Sequence, residues 1–525
     1  MVDTDRFVEP TGGTDQPMAL KACLGLIAGL ALVKLAIHLI TNILGGYGIF
    51  RDELYYLACT RHLGLGYVDQ PPLSIYLLAA NSWLFGESVF ALRFLPALFG
   101  SLTVLLIGLL TRELGGGRWA QLLAGLASLV SLIFLAMDSV YSMNAFDHLV
   151  WAAVALLVAR LLRTGQPAYW PLIGIAVGLG LLNKVGVLWL GAGIAVGLLA
   201  TRERRWLGTR WPWLAGLLAL ALFFPYVWWN LTHDMAHLEF IRNATAGKYS
   251  GLSAQTFVFD QFLVQNPVTV PVWGSGLIFL LFSPSGRRFR MLGWIYLASL
   301  LILLANGHSK AEYLSPAYAI LFAAGGVALE RWLGRPARAW ARVVIAILLL
   351  GGLILAPVVV PILPVDTYIA YAETLGIEPS TSENKELAEL PQFHADRFGW
   401  EEKAAAVAQV YDSLPPEERE VAAVFGENYG RAGAIDHFGP GLGLPYAISP
   451  HNSYWLWGPR HFTGEVVIVL GGEREGLESS FESVEWAGQV PCRLCMPYES
   501  DLPIFVCRDL KLPITEVWER LKNYS

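Results

Sequence analysis

The sequence predicts an α-helical polytopic membrane protein, with about eleven transmembrane helices followed by a soluble C-terminal α/β domain. Of its 525 residues, 55% are hydrophobic and only 15% are charged, whereas a soluble domain typically carries about 25% charged residues. The deficit in charge is confined to residues 18–363, and the composition becomes ordinary after Pro364. We therefore predict a membrane domain at 1–363 and a soluble domain at 364–525.

Apolar runs long enough to form membrane helices recur along the first part of the chain. A helix needs about 20 apolar residues to cross a bilayer. The first run is too long for the core of a signal peptide, so we expect it to remain as an anchor. The predicted spans are 18–44, 89–111, 119–137, 145–163, 168–183, 185–200, 211–229, 268–284, 291–306, 313–330 and 343–363.

Arginine clusters set the predicted orientation. They occur at every second connection between spans, and cytoplasmic loops are enriched in Arg and Lys. The clusters are Arg112 and Arg118; Arg160 and Arg163; Arg202, Arg204, Arg205 and Arg210; Arg287, Arg288 and Arg290; and Arg331, Arg335, Arg338 and Arg342. We predict a multi-pass protein of the plasma (inner) membrane, with a cytoplasmic N-terminus and an extracytoplasmic C-terminal domain.

Two of the predicted outer loops are long, at 45–88 and 230–267, and loops of this length usually carry function. The first contains predicted helices at 51–62 and 72–85, whose aromatic residues favour a position at the membrane interface. We expect the C-terminal domain to cover these loops without supplying catalytic residues. Its predicted helices are 399–413, 428–437 and 513–523, and its predicted strands are 420–425, 465–470 and 503–508.

Three acidic residues near the outer ends of the spans are candidates for catalysis. Asp52 and Glu53 follow the first span among aromatic residues, which favours a raised pKa and a general-base role. Asp147 begins the fourth span, and Asp138 is its rival for any role in the site. The alternative is that these acids are ordinary loop residues, or favourable charges near a helix N-terminus.

Two outer lysines are candidates for binding a phosphate at the membrane surface. Lys184 lies between two short spans, and Lys310 is followed by Tyr313. Snorkelling of these side chains to the interface is the alternative. His233 and His237 have the spacing of a metal pair, but without a third ligand we assign no metal site.

The net charge and the cysteine content limit the possible partners and the type of scaffold. A net charge of −6 gives no electrostatic reason to bind nucleic acid. Five cysteines are too few for a disulfide scaffold. The plainest interpretation of Cys492, Cys495 and Cys507 is one structural disulfide among them.

Taken together, several short segments resemble the protein O-mannosyltransferase family of the GT-C glycosyltransferase superfamily, which includes bacterial aminoarabinose and galacturonosyl transferases. Their order and spacing carry the resemblance over residues 20–330, and two tail segments are also similar to the soluble domain of bacterial members. The segments are Arg51-Asp52-Glu53, Asp69-Gln70-Pro71-Pro72-Leu73, Leu92-Arg93-Phe94-Leu95-Pro96, Asp147, Gly178–Lys184, Pro225–Asn230 and Lys310–Tyr313 with Pro316, then Glu427–Gly430 and Asn452–Pro459 in the tail.

The resemblance implies transfer of a sugar, with inversion, from a polyprenyl-phosphate donor to a glycan, lipid or protein on the outer face. No nucleotide-sugar site is expected, because the lipid carries the activated sugar. No cofactor is assigned, and a requirement for a divalent metal stays open. By the same match Asp52 is the candidate base, with Glu53 and Asp147 as further acids of the site. Lys184, Arg51 and Lys310 would bind the donor phosphate, and the substrate-binding candidates are Tyr55, Asp69, Gln70, Arg93, Asn230, His233 and Tyr313.

One residue departs from the family pattern, and two other functions compete. Aminoarabinose transferases carry lysine where this chain has Gln70, which puts that sugar in doubt. A transporter or flippase of lipid-linked sugars would place charges within its spans, whereas we predict spans with uncharged interiors. A receptor whose tail binds a partner would leave the outer acids and Lys184 unexplained.

Overall fold

A computed structural model describes residues 16–249, 251–333, 337–381 and 383–525. The first part of the chain is a bundle of helices joined by short 3₁₀ turns. Its helices are α1 Gln16–Leu44, α2 Arg51–Thr60, α3 Leu73–Phe85, α4 Val89–Leu92, α5 Phe94–Glu113, α6 Arg118–Val130, α7 Leu132–Met137, α8 Met143–Thr164, α9 Tyr169–Asn183, α10 Val187–Ala200, α11 Trp211–Thr232, α12 Ala236–Asn243, α13 Ala254–Val264, α14 Val270–Leu281, α15 Arg290–Asn306, α16 Tyr318–Trp332 and α17 Ala337–Val359.

Seven helical segments in the described part of the chain are long and apolar enough to cross a membrane. An eighth is added if α13 and the segment Pro267–Leu281, which meet at 86°, form one broken span. The seven are Leu24–Leu44, Val89–Glu113, Met143–Thr164, Trp211–Thr232, Pro284–Asn306, Ala311–Trp332 and Ala339–Val359. The predicted multi-pass helical membrane protein is confirmed.

The other three predicted spans are helical but short. The 15 residues of α9 and 14 residues of α10 rise about 1.5 Å each, which is less than the roughly 30 Å of a bilayer core. The run 119–137 breaks at Ser131, whose backbone is extended and whose hydroxyl donates to Gln265 at 2.8 Å. The count of eleven transmembrane helices therefore stays a prediction.

The C-terminal part folds around a four-stranded sheet with strand order β1-β2-β4-β3. Strand β1 runs parallel to β2, and the other neighbouring pairs are antiparallel. Every helix and strand predicted in the tail is present within a few residues. The strands are β1 Ala423–Gly426, β2 Val466–Leu470, β3 Phe481–Val490 and β4 Leu502–Leu510; the helices are α18 Val365–Thr374, α19 Gln392–Ala395, α20 Trp400–Ser413, α21 Pro416–Val421, α22 Tyr429–Phe438, α23 Ser453–Leu456, α24 Arg474–Ser480 and α25 Ile514–Leu521.

Strand β3 was not predicted, and its position explains why. It pairs only with β4, at the edge of the sheet. Between its buried end residues, Phe481 and Val490, the side chains are exposed or half-buried. An edge strand that buries so little lacks the apolar alternation from which strands are recognised.

Helix α2 belongs to the core of the tail. Leu54 and Leu57 are completely buried in one hydrophobic cluster with Val424 and Ile468 of the sheet. Its aromatic residues Tyr55 and Tyr56 are buried in the protein, so the predicted position of 51–62 at the membrane interface stays a prediction without support from them. Helix α3 fits that prediction better, because Trp83 is 85% exposed.

The predicted spans are not free of interior charge. Lys34 lies within α1 and is 1% exposed, and its Nζ is 2.9 Å from Asp138 Oδ2. It also donates to the carbonyl of Phe134 at 3.1 Å. Asp138, the rival of Asp147 in the sequence, is thus neutralised inside the helical bundle. A buried pair of this kind is compatible with a membrane interior because each charge has its counterion.

Candidate active site

Asp52 offers an accessible carboxylate at the junction of the helical part and the tail. It lies in the first turn of α2, and its side chain is 39% exposed. Oδ1 accepts a hydrogen bond from the hydroxyl of Tyr429 at 2.8 Å. Tyr429 is the first residue of α22, so the tail contributes directly to the surroundings of Asp52.

Glu53, the neighbour of Asp52, is completely buried and fully hydrogen-bonded. It accepts two bonds from Arg93, at 3.0 and 2.8 Å, and one each from the backbone N–H groups of Phe50 and Tyr141. Arg93 is itself 1% exposed and also donates to Gly48. These contacts favour a structural role for both predicted site residues, because their charges are already satisfied.

Arg51 is held beside Asp52 by residues of the tail. Its Nη1 donates to the hydroxyl oxygen of Tyr498 at 2.6 Å and lies 3.5 Å from Asp396 Oδ2. Its Nη2 is 3.7 Å from Glu383 Oε1. Burial raises the pKa of Asp396 to about 7, although the charge of Arg51 opposes this shift.

Glu383 is the centre of a cationic group. Lys310 Nζ lies 3.8 Å from its carboxylate and 4.9 Å from the centre of the Tyr249 ring. Burial raises the pKa of Glu383, but the charges of Arg51, Lys248 and Lys310 outweigh it and lower the pKa to about 2. Burial also lowers the pKa of Lys248. Three cations therefore share Glu383, although Arg51 also contacts the carboxylates of Asp52 and Asp396.

Lys184 and Asp147, which the sequence proposed separately, form a pair at 3.5 Å. Lys184 also donates to the side-chain oxygen of Asn144 at 2.7 Å and lies 5.3 Å from the centre of the Tyr313 ring. Asp147 is 3% exposed, so its partner is Lys184 rather than water. The predicted residues of this pair and Tyr313 are therefore brought together.

Asp69 lies next to Tyr55, another predicted site residue. The Tyr55 hydroxyl donates to Asp69 at 2.8 Å and accepts from the backbone of Ser453 in the tail at 3.2 Å. Burial raises the pKa of Asp69 to about 6, although the hydrogen bond from Tyr55 lowers it in part. Gln70 is completely buried, and neither atom of its amide has a hydrogen-bond partner.

The end of α11 holds the remaining predicted residues. Asn230 donates to the carbonyl of Tyr226 and accepts from the backbone of His237. His233 stacks on Trp229 with ring centres 4.4 Å apart. Within residues 16–249, 251–333, 337–381 and 383–525, no three His, Cys, Asp or Glu side chains are grouped as metal ligands.

A cavity of about 500 Å³ is lined mainly by the tail and includes Arg51 and Tyr429, both of which contact Asp52. Polar, charged and aromatic side chains form its walls. They are Arg51, Asn243, Lys248, Glu383, Asn384, Lys385, Glu427, Asn428, Tyr429, Arg431, His451, Tyr498, Asn523 and Ser525, together with Gly247. The expectation of a tail without catalytic residues stays untested, but the tail lines most of this cavity and contacts the candidate base through Tyr429.

Sequence reasoning missed several of these side chains. Tyr429 lies in the tail segment 427–430 that resembles bacterial members, so a signal for it was present. Lys248 and Glu383 lie in irregular segments without a motif, and only the fold brings them to Arg51.

Comparison with known proteins shows which families this chain resembles. Residues 69–229 match the family model described as dolichyl-phosphate-mannose-protein mannosyltransferase. The lipid A galacturonosyltransferase RgtD of Rhizobium johnstonii is 25% identical over 54% of this chain and 60% of its own length. An undecaprenyl phosphate-α-4-amino-4-deoxy-L-arabinose arabinosyl transferase of Serratia proteamaculans is 32% identical over 27% of this chain and 26% of its own length. The matches thus cover less than two thirds of the length of each of these relatives.

The solved structure of ArnT from Cupriavidus metallidurans aligns with 92% of this chain and 98% of its own length, with a TM-score of 0.60 and 16% identity. The chain has the GT-C fold. The predicted resemblance to the aminoarabinose and galacturonosyl transferases of this fold is confirmed. In this fold, Tyr429 of the tail contacts Asp52 of the first long loop.

Proposed function

We propose that this protein is a membrane glycosyltransferase that moves a sugar from a polyprenyl-phosphate donor to an acceptor, with inversion. The observation that carries the proposal is the accessible carboxylate of Asp52 beside Arg51 and a group of lysines. A base for the acceptor and cations for a leaving phosphate are the two requirements of this chemistry. One carboxylate suffices, unlike the paired acids of glycoside hydrolases.

In the proposed step Asp52 removes the proton from an acceptor hydroxyl as that oxygen attacks the anomeric carbon of the donor. The bond from this carbon to the phosphate oxygen breaks, and its electron pair leaves with the polyprenyl phosphate. Attack opposite the leaving group inverts the anomeric centre. The proton on Asp52 then passes to solvent, which the exposed side chain permits.

The donor phosphate is proposed to bind among Arg51, Lys248, Lys310 and Lys184. The first three surround Glu383, and Lys184 continues the cationic band next to Tyr313. A cation close to the bridging oxygen favours departure of the phosphate by neutralising the charge that develops there. The prenyl chain would lie against the apolar helices of the membrane part.

The names of the relatives supply candidates for the substrates. They act on lipid A or use undecaprenyl phosphate-linked 4-amino-4-deoxy-L-arabinose. We propose undecaprenyl phosphate as the carrier and a lipid A-type glycolipid as the acceptor. Gln70, in the place of a lysine, favours a sugar other than aminoarabinose.

A transfer assay tests the proposed function. Purified protein would be incubated with lipid A and polyprenyl-phosphate donors carrying galacturonic acid, aminoarabinose or mannose. We expect a new lipid A product with one donor, detected by mass spectrometry. Movement of intact donor across vesicles, with no product in any reaction, would instead identify a flippase.

We further propose that the N-terminus is cytoplasmic and the C-terminal domain lies outside the plasma (inner) membrane. The alternating arginine clusters support this orientation, as does the disulfide Cys492–Cys495, because disulfides persist in oxidising compartments. Alkaline phosphatase fused after Ser525 should be active in cells, and a cytoplasmic reporter at the same place should be inactive. The reverse pattern would mean that the orientation is wrong.

A further inference from the structure

The loop between β3 and β4 contains the disulfide and two side chains next to the candidate active site. Cys492 and Cys495 are bonded, and Tyr498 and Glu499 follow within a short 3₁₀ turn. Tyr498 gives Arg51 its shortest hydrogen bond, at 2.6 Å, whereas the carboxylates around Arg51 lie at 3.4 Å or more. The loop therefore sets the position of the Arg51 guanidinium.

Glu499 connects the same loop to the helix that carries Tyr429. It is 1% exposed, and its carboxylate accepts two bonds from Arg431 at 3.1 Å and one from Asn428 at 2.7 Å. Arg431 also donates to the backbone carbonyl of Tyr498 at 3.0 Å. Because Tyr429 begins this helix and bonds Asp52, one loop holds two neighbours of the candidate base.

The disulfide also packs against the segment that carries Asp396. A Cβ atom on Gly399 would lie 2.5 Å from Cys495 Sγ and 2.7 Å from Cys492 Sγ, so the two sulfurs fill the space beside this glycine. Cys495 Sγ is 3.1 Å from the carbonyl of Phe398. Because the two sulfurs pack against this backbone, and separate thiols lie farther apart than bonded sulfurs, we expect reduction to move the loop.

We infer that Tyr498 is a positioning residue for Arg51, and that the Cys492–Cys495 disulfide holds it there. The inference rests on the proposed function, since Arg51 is assigned to the donor phosphate. Reduction by a dithiol transfers two electrons and two protons to the protein, giving two cysteine thiols and the oxidised cyclic dithiol. Tyr498 then loses its fixed distance to Arg51, and transfer slows while the fold persists.

The test compares Tyr498→Phe with wild type, each measured oxidised and after dithiothreitol treatment. Loss of one charge-assisted hydrogen bond predicts about 10-fold slower transfer and a raised donor KM in Tyr498→Phe, with acceptor KM unchanged. Reduction should slow the wild type similarly and the Tyr498→Phe variant little further. Cys59 and Cys507 are already thiols, so reduction at the described cysteines acts on this bridge.

Tyr446→Phe is the matched control, because Tyr446 also lies beside arginines but outside the cavity. It should transfer sugar at the wild-type rate. Equal losses of transfer rate on reduction in wild type and Tyr498→Phe would overturn the inference. It would also be overturned if Tyr498→Phe showed a lower kcat and a lower melting temperature with an unchanged donor KM. If oxidised wild type transferred no sugar from any donor, the proposed function itself would fail.

Discussion

Asp52→Asn is expected to abolish nearly all sugar transfer while leaving the protein folded. The amide keeps the size of the side chain and can still accept from Tyr429, but it cannot take a proton from the acceptor. Removal of a positioned general base typically slows a reaction by about 10² to 10⁴. The measurement is single-turnover transfer by purified variants, with donor binding determined separately by fluorescence.

Two comparisons make this result specific. Asp412→Asn is the same chemical change at an exposed position of α20 and should leave turnover unchanged. Lys184→Ala should instead weaken donor binding, through loss of a phosphate contact. Near-normal turnover in Asp52→Asn together with a loss in Asp147→Asn would move the base assignment to Asp147.

Glu53→Ala is expected to lower stability strongly, with a loss of about 3–5 kcal/mol in the free energy of unfolding. The substitution leaves the buried guanidinium of Arg93 without its counterion and removes the acceptor for two backbone N–H groups, of Phe50 and Tyr141. Denaturant unfolding in detergent micelles would measure the change.

The control is Glu113→Ala. This change removes the ion pairs of one carboxylate with Arg160 and Arg163, whose side chains are 35% and 50% exposed. Exposed pairs contribute about 0–1 kcal/mol, so this variant should be close to wild type. A double change of Glu53→Met with Arg93→Met should recover part of the loss. Normal stability in Glu53→Ala would show that Glu53 is free for a role in the reaction.

The distribution of apolar residues was sufficient to predict the helical part and the regular elements of the tail. Lys34 was overlooked because one charge in a long apolar run does not change its average, and its partner Asp138 is distant in sequence. Strand β3 was overlooked because an edge strand need not be apolar. The packing of helix α2 against the tail was not predicted because its aromatic residues suit an interface and a protein core equally well.

The sequence was sufficient to identify site residues in the loops directly after predicted spans. It was not sufficient where two segments distant in sequence meet in the fold. Asp52, Asp69 and Lys184 stand in loops that the eleven predicted spans bring to one face. Lys248 and Glu383 reach Arg51 only through tertiary contacts, which local patterns do not encode. The pairing of Asp147 with Lys184 needed the packing of α8 against α9.

The burial of α2 in the core of the tail has a consequence for biosynthesis. Asp52 precedes its partner Tyr429 by 377 residues. Because a protein is synthesised from its N-terminus, the first loop must wait for Tyr429 until the tail has been translated. During that interval Leu54 and Leu57 have no tail to cover them, and exposed apolar surface promotes misassembly. Assembly of the candidate site is therefore coupled to translation of the tail, so a ribosome that stops before Tyr429 releases a chain without an assembled site.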